Sequence, residues 1–371
     1  MSSTWLAGFR SAVISPYERI QLQASRGFAD ETVRQVLRLV GGGARVRVRL
    51  SNRYGTEPLV VAAARVALRK AGAEIVGETE RVVRFDGADQ VTIQAGDEIV
   101  SDAIDLAVEA GDDLVLSLYL PEATGLATFT HSAFERAYIA PGDRVAAPDL
   151  AEAEESTSRF FVTGVDVLAP AAAPVVVAFG DSWFEGAGTT VGANHRSVDF
   201  LNARLREGWI VNQGIGGNRL LTDEVGAHGL ARFERDVLAV PGVTHVLANF
   251  GINDLILDGT ASIRDLIDGY TELARRAHAA GLPIYANTVG PFAGVVYPGL
   301  SVDTGIPARH EINEWLRGTT VFDRVFDVAA AVASPDDPDL IRPDLDSGDG
   351  LHLNDEGARI MAAAMDFPLV R

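Results

Sequence analysis

Ser182, Asp349 and His352 are the residues of this 371-residue chain whose types and spacing best support bond-breaking chemistry. A serine hydroxyl is a weak nucleophile at neutral pH and needs a general base within hydrogen-bond reach, most often histidine. His352 is the candidate base. Asp349, three residues upstream, can fix its tautomer and stabilise the imidazolium as it forms. Attack of such a serine on an ester carbonyl creates an oxyanion, which preorganised N–H donors must meet. The candidate donors are the Ser182 N–H, the Gly217 N–H in the turn Gly214-Ile215-Gly216-Gly217-Asn218, and the Asn253 carboxamide in Gly251-Ile252-Asn253-Asp254.

These residues lie far apart in sequence, so the elements that carry them must bring them together. PVVVAFGDSWFEG, Pro174 to Gly186, is a β-branched and apolar run that stops at Gly180-Asp181-Ser182. It has the character of a parallel strand covered on both faces, ending in a turn that presents the serine. Strands are also expected at Trp209 to Ile215, Thr244 to Phe250, Pro283 to Val289 and Phe322 to Val328. They alternate with helices at Ser197 to Glu207, Gly229 to Ala239, Ala261 to Ala280, Pro307 to Arg317 and Asp355 to Met365. Such alternation predicts a doubly wound α/β sheet, and ligands of these sheets bind at the carboxyl ends of the strands. Each candidate residue falls just past a strand end or in the C-terminal turn, so topology places them on one edge.

The preceding half reads differently. Val33 to Leu39, Arg45 to Leu50, Leu59 to Leu68, Val82 to Phe85, Val91 to Ile93 and Leu114 to Leu120 are short strand-like runs separated by turn residues. In Arg45-Val46-Arg47-Val48-Arg49-Leu50 the alternation is strict, as on a half-solvated antiparallel strand. An all-β sandwich or jelly roll over residues 1–168 is the expected outcome, with an α/β domain over 169–371 and the boundary near Pro170. Arg159 to Leu168 reads as a further strand that could pack on either side. His131, with Phe129, Phe134 and Tyr138, is a candidate pocket lining, although core or interface packing is the commoner use of such residues. Trp183, Phe292 and Tyr297 are the other candidate pocket residues.

Composition excludes several functions. The 51 acidic residues outnumber the 32 basic ones, and the net charge of −19 argues against nucleic acid or anionic membrane as a partner. The absence of cysteine excludes a thiolate nucleophile, a disulfide framework and a cysteine-ligated metal. Lys70 is the only lysine, which disfavours a catalytic-lysine mechanism. The first residues form no signal-like apolar run and no later run would span a bilayer, so a protein without integral membrane association is expected, cytoplasmic unless a leader was removed. Gly214-Ile215-Gly216 does not complete a dinucleotide fingerprint, because Arg219 stands at the third glycine position. Asp181 and Asp254 read as turn caps, and Asp223, Glu224 and His228 as a solvated loop. His195, His245, His278 and His310 have no suitable partners nearby in sequence.

Gly180-Asp181-Ser182, Gly217, Gly251-x-Asn253-Asp254 and Asp349-x-x-His352 together resemble the four blocks of the SGNH, or GDSL-type, hydrolase family. Carried over by position, Ser182 is similar to the family nucleophile, Gly217 and Asn253 to its oxyanion donors, and Asp349 and His352 to the rest of its triad. The resemblance implies a flavodoxin-like αβα sandwich with a five-stranded parallel sheet. It also implies ester hydrolysis through an acyl-enzyme, with neither metal nor organic cofactor. Trp183 replaces the leucine that follows Gly-Asp-Ser in many relatives. The first half is similar, more loosely, to the β-sandwich that precedes the hydrolase in some two-domain bacterial members. A serine esterase acting on small acyl esters is therefore expected, with acetyl groups on a carbohydrate as one candidate substrate. The alternatives are a thioesterase or lysophospholipase-like lipase, acyl transfer on the same triad, or a non-catalytic carbohydrate-binding protein. Oligomeric state is not legible.

Overall fold

The structure is a computed structural model describing residues 3–170, 173–257, 262–366 and 368–369. The chain divides into two compact units, Met1–Ala173 and Pro174–Arg371.

The first unit is all β. One antiparallel sheet runs in the order β1 (Ser3–Arg10), β7 (Val162–Pro170), β3 (Val46–Ser51) and the short strand Glu98–Val100. A larger antiparallel sheet is centred on β6 (Ala137–Pro141), β2 (Glu31–Arg38), β5 (Asp113–Leu120) and β4 (Ala63–Ala71). The expected strand Leu59 to Leu68 is two strands, because Leu59–Val61 pairs with Val91–Ile93 while β4 pairs with β5. The arginine-rich alternation behaves as its period predicts. Val46, Val48 and Leu50 are fully buried, and Arg47 and Arg49 sit on the opposite face. These two arginines and Arg10 converge on the buried Asp166 of β7 at 2.6–2.9 Å. Burial opposes ionisation of that carboxyl, but the arginines hold it below its ordinary range. β7 pairs with both β1 and β3, so the division expected at 168/169 falls inside a strand of the first unit.

The second unit is built on a five-stranded parallel sheet. Its strands are β8 (Val175–Gly180), β9 (Trp209–Gly214), β10 (Val243–Asn249), β11 (Ile284–Asn287) and β12 (Arg324–Phe326), in the order β9-β8-β10-β11-β12. This is the flavodoxin-like order, in which the chain reverses direction across the sheet beside its first strand. β8 is buried along its whole length because both faces are covered. Val176 and Ala178 point into a cluster with Val198 and Leu201 of α2 (Ser197–Asn202), Val328 and Val332 of α7 (Val328–Val332), and Met361 of α8 (Asp355–Ala364). On the other face the Phe179 ring meets Phe233 of α3 (Gly229–Phe233) edge-on, with centroids 5.8 Å apart.

Several helices differ from the sequence expectation for local reasons. α2 stops at Asn202 rather than Glu207, because the Asn202 amide bonds both the N–H and the C=O of Ile210 and turns the chain into β9. Arg196 occupies the N-cap, and the Ser197 hydroxyl donates to the Trp183 carbonyl. The helix expected over Gly229 to Ala239 is α3 followed by a π-turn, Glu234–Leu238. α5 (Ile263–Ala279) is capped by Ser262; its expected start at Ala261 lies outside the described residues. α6 (Val302–Gly318) begins ahead of Pro307, which it contains. β12 is short because Asp327 accepts the Ala330 N–H and starts α7. Among the described residues no helix is long and apolar enough to cross a membrane.

Candidate active site

Ser182 is the first residue of α1 (Ser182–Glu185), immediately beyond β8. The chain can leave the strand so sharply because Asp181 acts as N-cap, accepting the Trp183 N–H at 3.1 Å. The opposite Asp181 oxygen accepts no hydrogen bond, and the first also takes the Asn249 amide at 2.9 Å. Burial pushes the Asp181 carboxyl up to about 7 against those two bonds and the nearby His352 charge.

His352 lies in the turn before α8 and touches Ser182 directly, with Nε2 3.1 Å from the serine Oγ. On its other side Nδ1 is 2.6 Å from Asp349 Oδ2. The second carboxylate oxygen accepts the backbone N–H groups of Leu351 and His352 at 2.9 and 2.8 Å. Burial works against the Asp349 anion, but the His352 ring and these two backbone donors hold its carboxyl well below the usual carboxylate range. An anionic Asp349 favours the tautomer with hydrogen on Nδ1, which leaves Nε2 free to accept the serine proton.

The two oxyanion candidates follow the strands on either side of β8. Gly217 occupies the turn after β9 with φ of 76°, a left-handed conformation that strains any residue with a side chain. Asn253 lies in α4 (Ile252–Ile256), just beyond β10, and its amide donates to the Asn218 carbonyl at 3.0 Å. Asp254, expected as a cap, spans the two turns by accepting the Leu220 and Leu221 N–H groups. Burial raises its carboxyl to about 6 despite those bonds.

Arg232 of α3 unites this region, and no feature of the sequence singled it out. Its guanidinium is fully buried and lies over the Phe179 ring, 4.2 Å from the centroid. It donates to the Gly180 and Gln213 carbonyls, both at 2.8 Å, and to the Asn218 side chain at 2.9 Å. The strand end before Ser182, the end of β9 and the turn holding Gly217 are thus tied to one rigid planar group. A buried arginine leaves no periodic signal, because its partners exist only in the folded chain.

The four pocket candidates have different surroundings. Trp183 is buried and its indole N–H donates to the Leu351 carbonyl, next to His352. Phe292 is fully buried. Tyr297 is 48% exposed and donates its hydroxyl to Asp349 Oδ2 at 2.9 Å. His131 is buried in the first unit, where its carbonyl accepts the Ser158 hydroxyl. Three other histidines do have carboxylate partners, each from a distant segment: His195 with Asp355, His278 with Asp323 and His310 with Asp339. Among the histidines of the described residues, His352 is the one that bonds the Ser182 hydroxyl. His228 pairs with Asp223 while Glu224 turns to Arg219, so the three residues of that loop do not converge.

A hydroxyl, an imidazole and a carboxylate thus stand in bonding sequence at the carboxyl edge of a parallel α/β sheet, the edge at which ligands of such sheets bind. The model of the GDSL-like lipase/acylhydrolase family matches residues 178–360, from within β8 to within α8. Residues 178–360 form a domain of that family, and the chain is an ester hydrolase. No curated protein sequence matches the chain. Similar solved structures include Est24, a carbohydrate acetylesterase from Sinorhizobium meliloti, at 17% identity over 52% of this chain and 95% of that one, with a TM-score of 0.42. The M. smegmatis aryl esterase is 16% identical over 52% and 96%, with a TM-score of 0.43. A lipase/acylhydrolase from Enterococcus faecalis is 21% identical over 52% and 92%, with a TM-score of 0.41.

Proposed function

We propose that the protein hydrolyses small acyl esters, with Ser182 as nucleophile, His352 as general base and acid, and Asp349 as the group that orients and stabilises the imidazole. The relay from Ser182 Oγ to His352 Nε2 at 3.1 Å and from Nδ1 to Asp349 at 2.6 Å carries this reading. As Oγ attacks the carbonyl carbon, its proton passes to Nε2 and the carbonyl oxygen becomes an oxyanion. The Ser182 and Gly217 N–H groups and the Asn253 amide are assigned to receive it. Collapse of the tetrahedral adduct expels the alcohol, which takes the proton from His352 and leaves an acyl-serine. Water, deprotonated by the same imidazole, then releases the acid.

Short acyl groups are assigned because Ser182 is only 5% exposed and is followed by the buried Trp183 and Phe184. Acetyl groups on a carbohydrate are one substrate of this class. The test is hydrolysis of 4-nitrophenyl acetate, butyrate and octanoate by the full chain and by Ser182→Ala and His352→Ala. The reading requires loss of turnover in both variants and a preference for the shorter esters. Wild-type rates in the variants would overturn the assignment, and octanoate preference would replace small esters by lipid-like ones.

A further inference from the structure

Asp349 Oδ2 has two donors: His352 Nδ1 at 2.6 Å and the Tyr297 hydroxyl at 2.9 Å. With two backbone N–H groups on Oδ1, the carboxylate carries four hydrogen bonds, which fills its acceptor capacity. The phenol is held there by its loop. Val296 N–H donates to the Asp349 carbonyl at 3.0 Å, so adjacent residues of the loop bond the backbone and the side chain of one aspartate. The two loops touch closely: a Cβ on Gly350, where φ is 69°, would lie 2.0 Å from the Gly294 carbonyl oxygen. The Tyr297 loop is anchored at one end by the buried Phe292 and at the other by Ser301 N–H bonding the Ile256 carbonyl at 2.7 Å.

We infer that Tyr297 is a positioning residue that shares Asp349 Oδ2 with His352, fixing the carboxylate and limiting how strongly it stabilises the imidazolium. The inference rests on the assignment of Ser182, His352 and Asp349 made above. A phenol donating to Oδ2 disperses part of the negative charge that otherwise falls on the imidazole N–H. Burial and the bond to the carboxylate both raise the Tyr297 hydroxyl, so it stays a proton donor across the working pH range. Removing the hydroxyl concentrates the charge of Asp349 on His352. The protonated imidazole then persists to higher pH, and the neutral base that accepts the serine proton becomes available later. Ionisable groups near the pair among the described residues include Asp181, beyond β8, and Asp346, in the same turn, which accepts the Gly348 and Gly350 N–H groups. Both carboxylates are present in variant and wild type alike, so the comparison isolates the loss of the Tyr297 hydroxyl.

The test is the pH profile of kcat/KM for 4-nitrophenyl acetate in wild type, Tyr297→Phe and Tyr297→Leu. The acid limb should move to higher pH by about half a unit in both variants, since both lose the hydroxyl. The plateau kcat should fall a few-fold as Asp349 loses one restraint, with KM unchanged in Tyr297→Phe. An acid limb that coincides with wild type in Tyr297→Phe overturns the inference, and so does a shift seen only in Tyr297→Leu, which would assign the effect to the ring. Ser182→Ala, assayed in parallel, separates the two levels. Residual wild-type turnover in it refutes the triad itself, whereas an inactive Ser182→Ala beside an unshifted Tyr297→Phe refutes only the role of Tyr297.

Discussion

Asp349 holds His352 with both of its oxygens, Oδ2 at 2.6 Å from the ring Nδ1 and Oδ1 at 2.8 Å from the residue's own backbone N–H. The spacing of three residues makes this possible on a single turn. The imidazole is therefore oriented by a group that moves with its own main chain, and its Nε2 stays aimed at Ser182.

Asp349→Asn should keep much of this geometry and still lose the chemistry. A carboxamide that donates to the ring favours the wrong tautomer, placing hydrogen on Nε2 where the serine proton must arrive. By analogy with other triads, kcat should drop roughly 10,000-fold. Steady-state kinetics beside a thermal melt checks this; a melting temperature near wild type with intact kcat would remove Asp349 from the mechanism.

Asn253→Ala tests the oxyanion assignment. Loss of one donor should lower kcat by roughly 100- to 1,000-fold with little change in KM, because the interaction strengthens only as the oxyanion forms. The amide also bonds the Asn218 carbonyl, so a stability loss of about 1 kcal/mol should accompany it. A variant that loses stability to that extent but keeps its turnover would show that Asn253 only braces the neighbouring turn.

Asp181→Asn should change how stability depends on pH. Burial raises the Asp181 carboxyl to about 7 in the folded protein, against about 3.9 for an ordinary aspartate. The folded state therefore binds the extra proton between those values. The resulting stability is full below about pH 4 and is lost as pH rises through about 7. The variant has no proton to lose there, and the raised Asp254 is common to both proteins. Melting temperatures at intervals from pH 4 to 9 should show wild type falling relative to Asp181→Asn up to about pH 8, then a constant difference. A difference that is flat throughout would mean that Asp181 is already ionised in the fold.

Much of the second unit was legible because its signals are local. The apolar run of β8, the switch from period-two to helical spacing and the breaks at Gly180, Gly214 and Gly251 each follow from a few adjacent residues. Helix ends were less legible. Asn202 ends α2 by bonding Ile210, and the π-turn after α3 interrupts an unbroken helical pattern. The aspartate partners of His195, His278 and His310 were hidden because each comes from a distant segment.

The sequence by itself determined which groups could react, since a serine at a strand end, an Asp-x-x-His turn and two glycine-rich turns are fixed by residue type and spacing. It also determined the layered α/β architecture that must carry them to one edge. Tertiary structure decided how they are held: Arg232 joining Gly180, Gln213 and Asn218, Asp254 spanning two turns, and Tyr297 meeting His352 on a single carboxylate oxygen. A hydrogen bond depends on positions within a few tenths of an ångström. Only the packed chain sets those positions, and the spacing of residues along it does not.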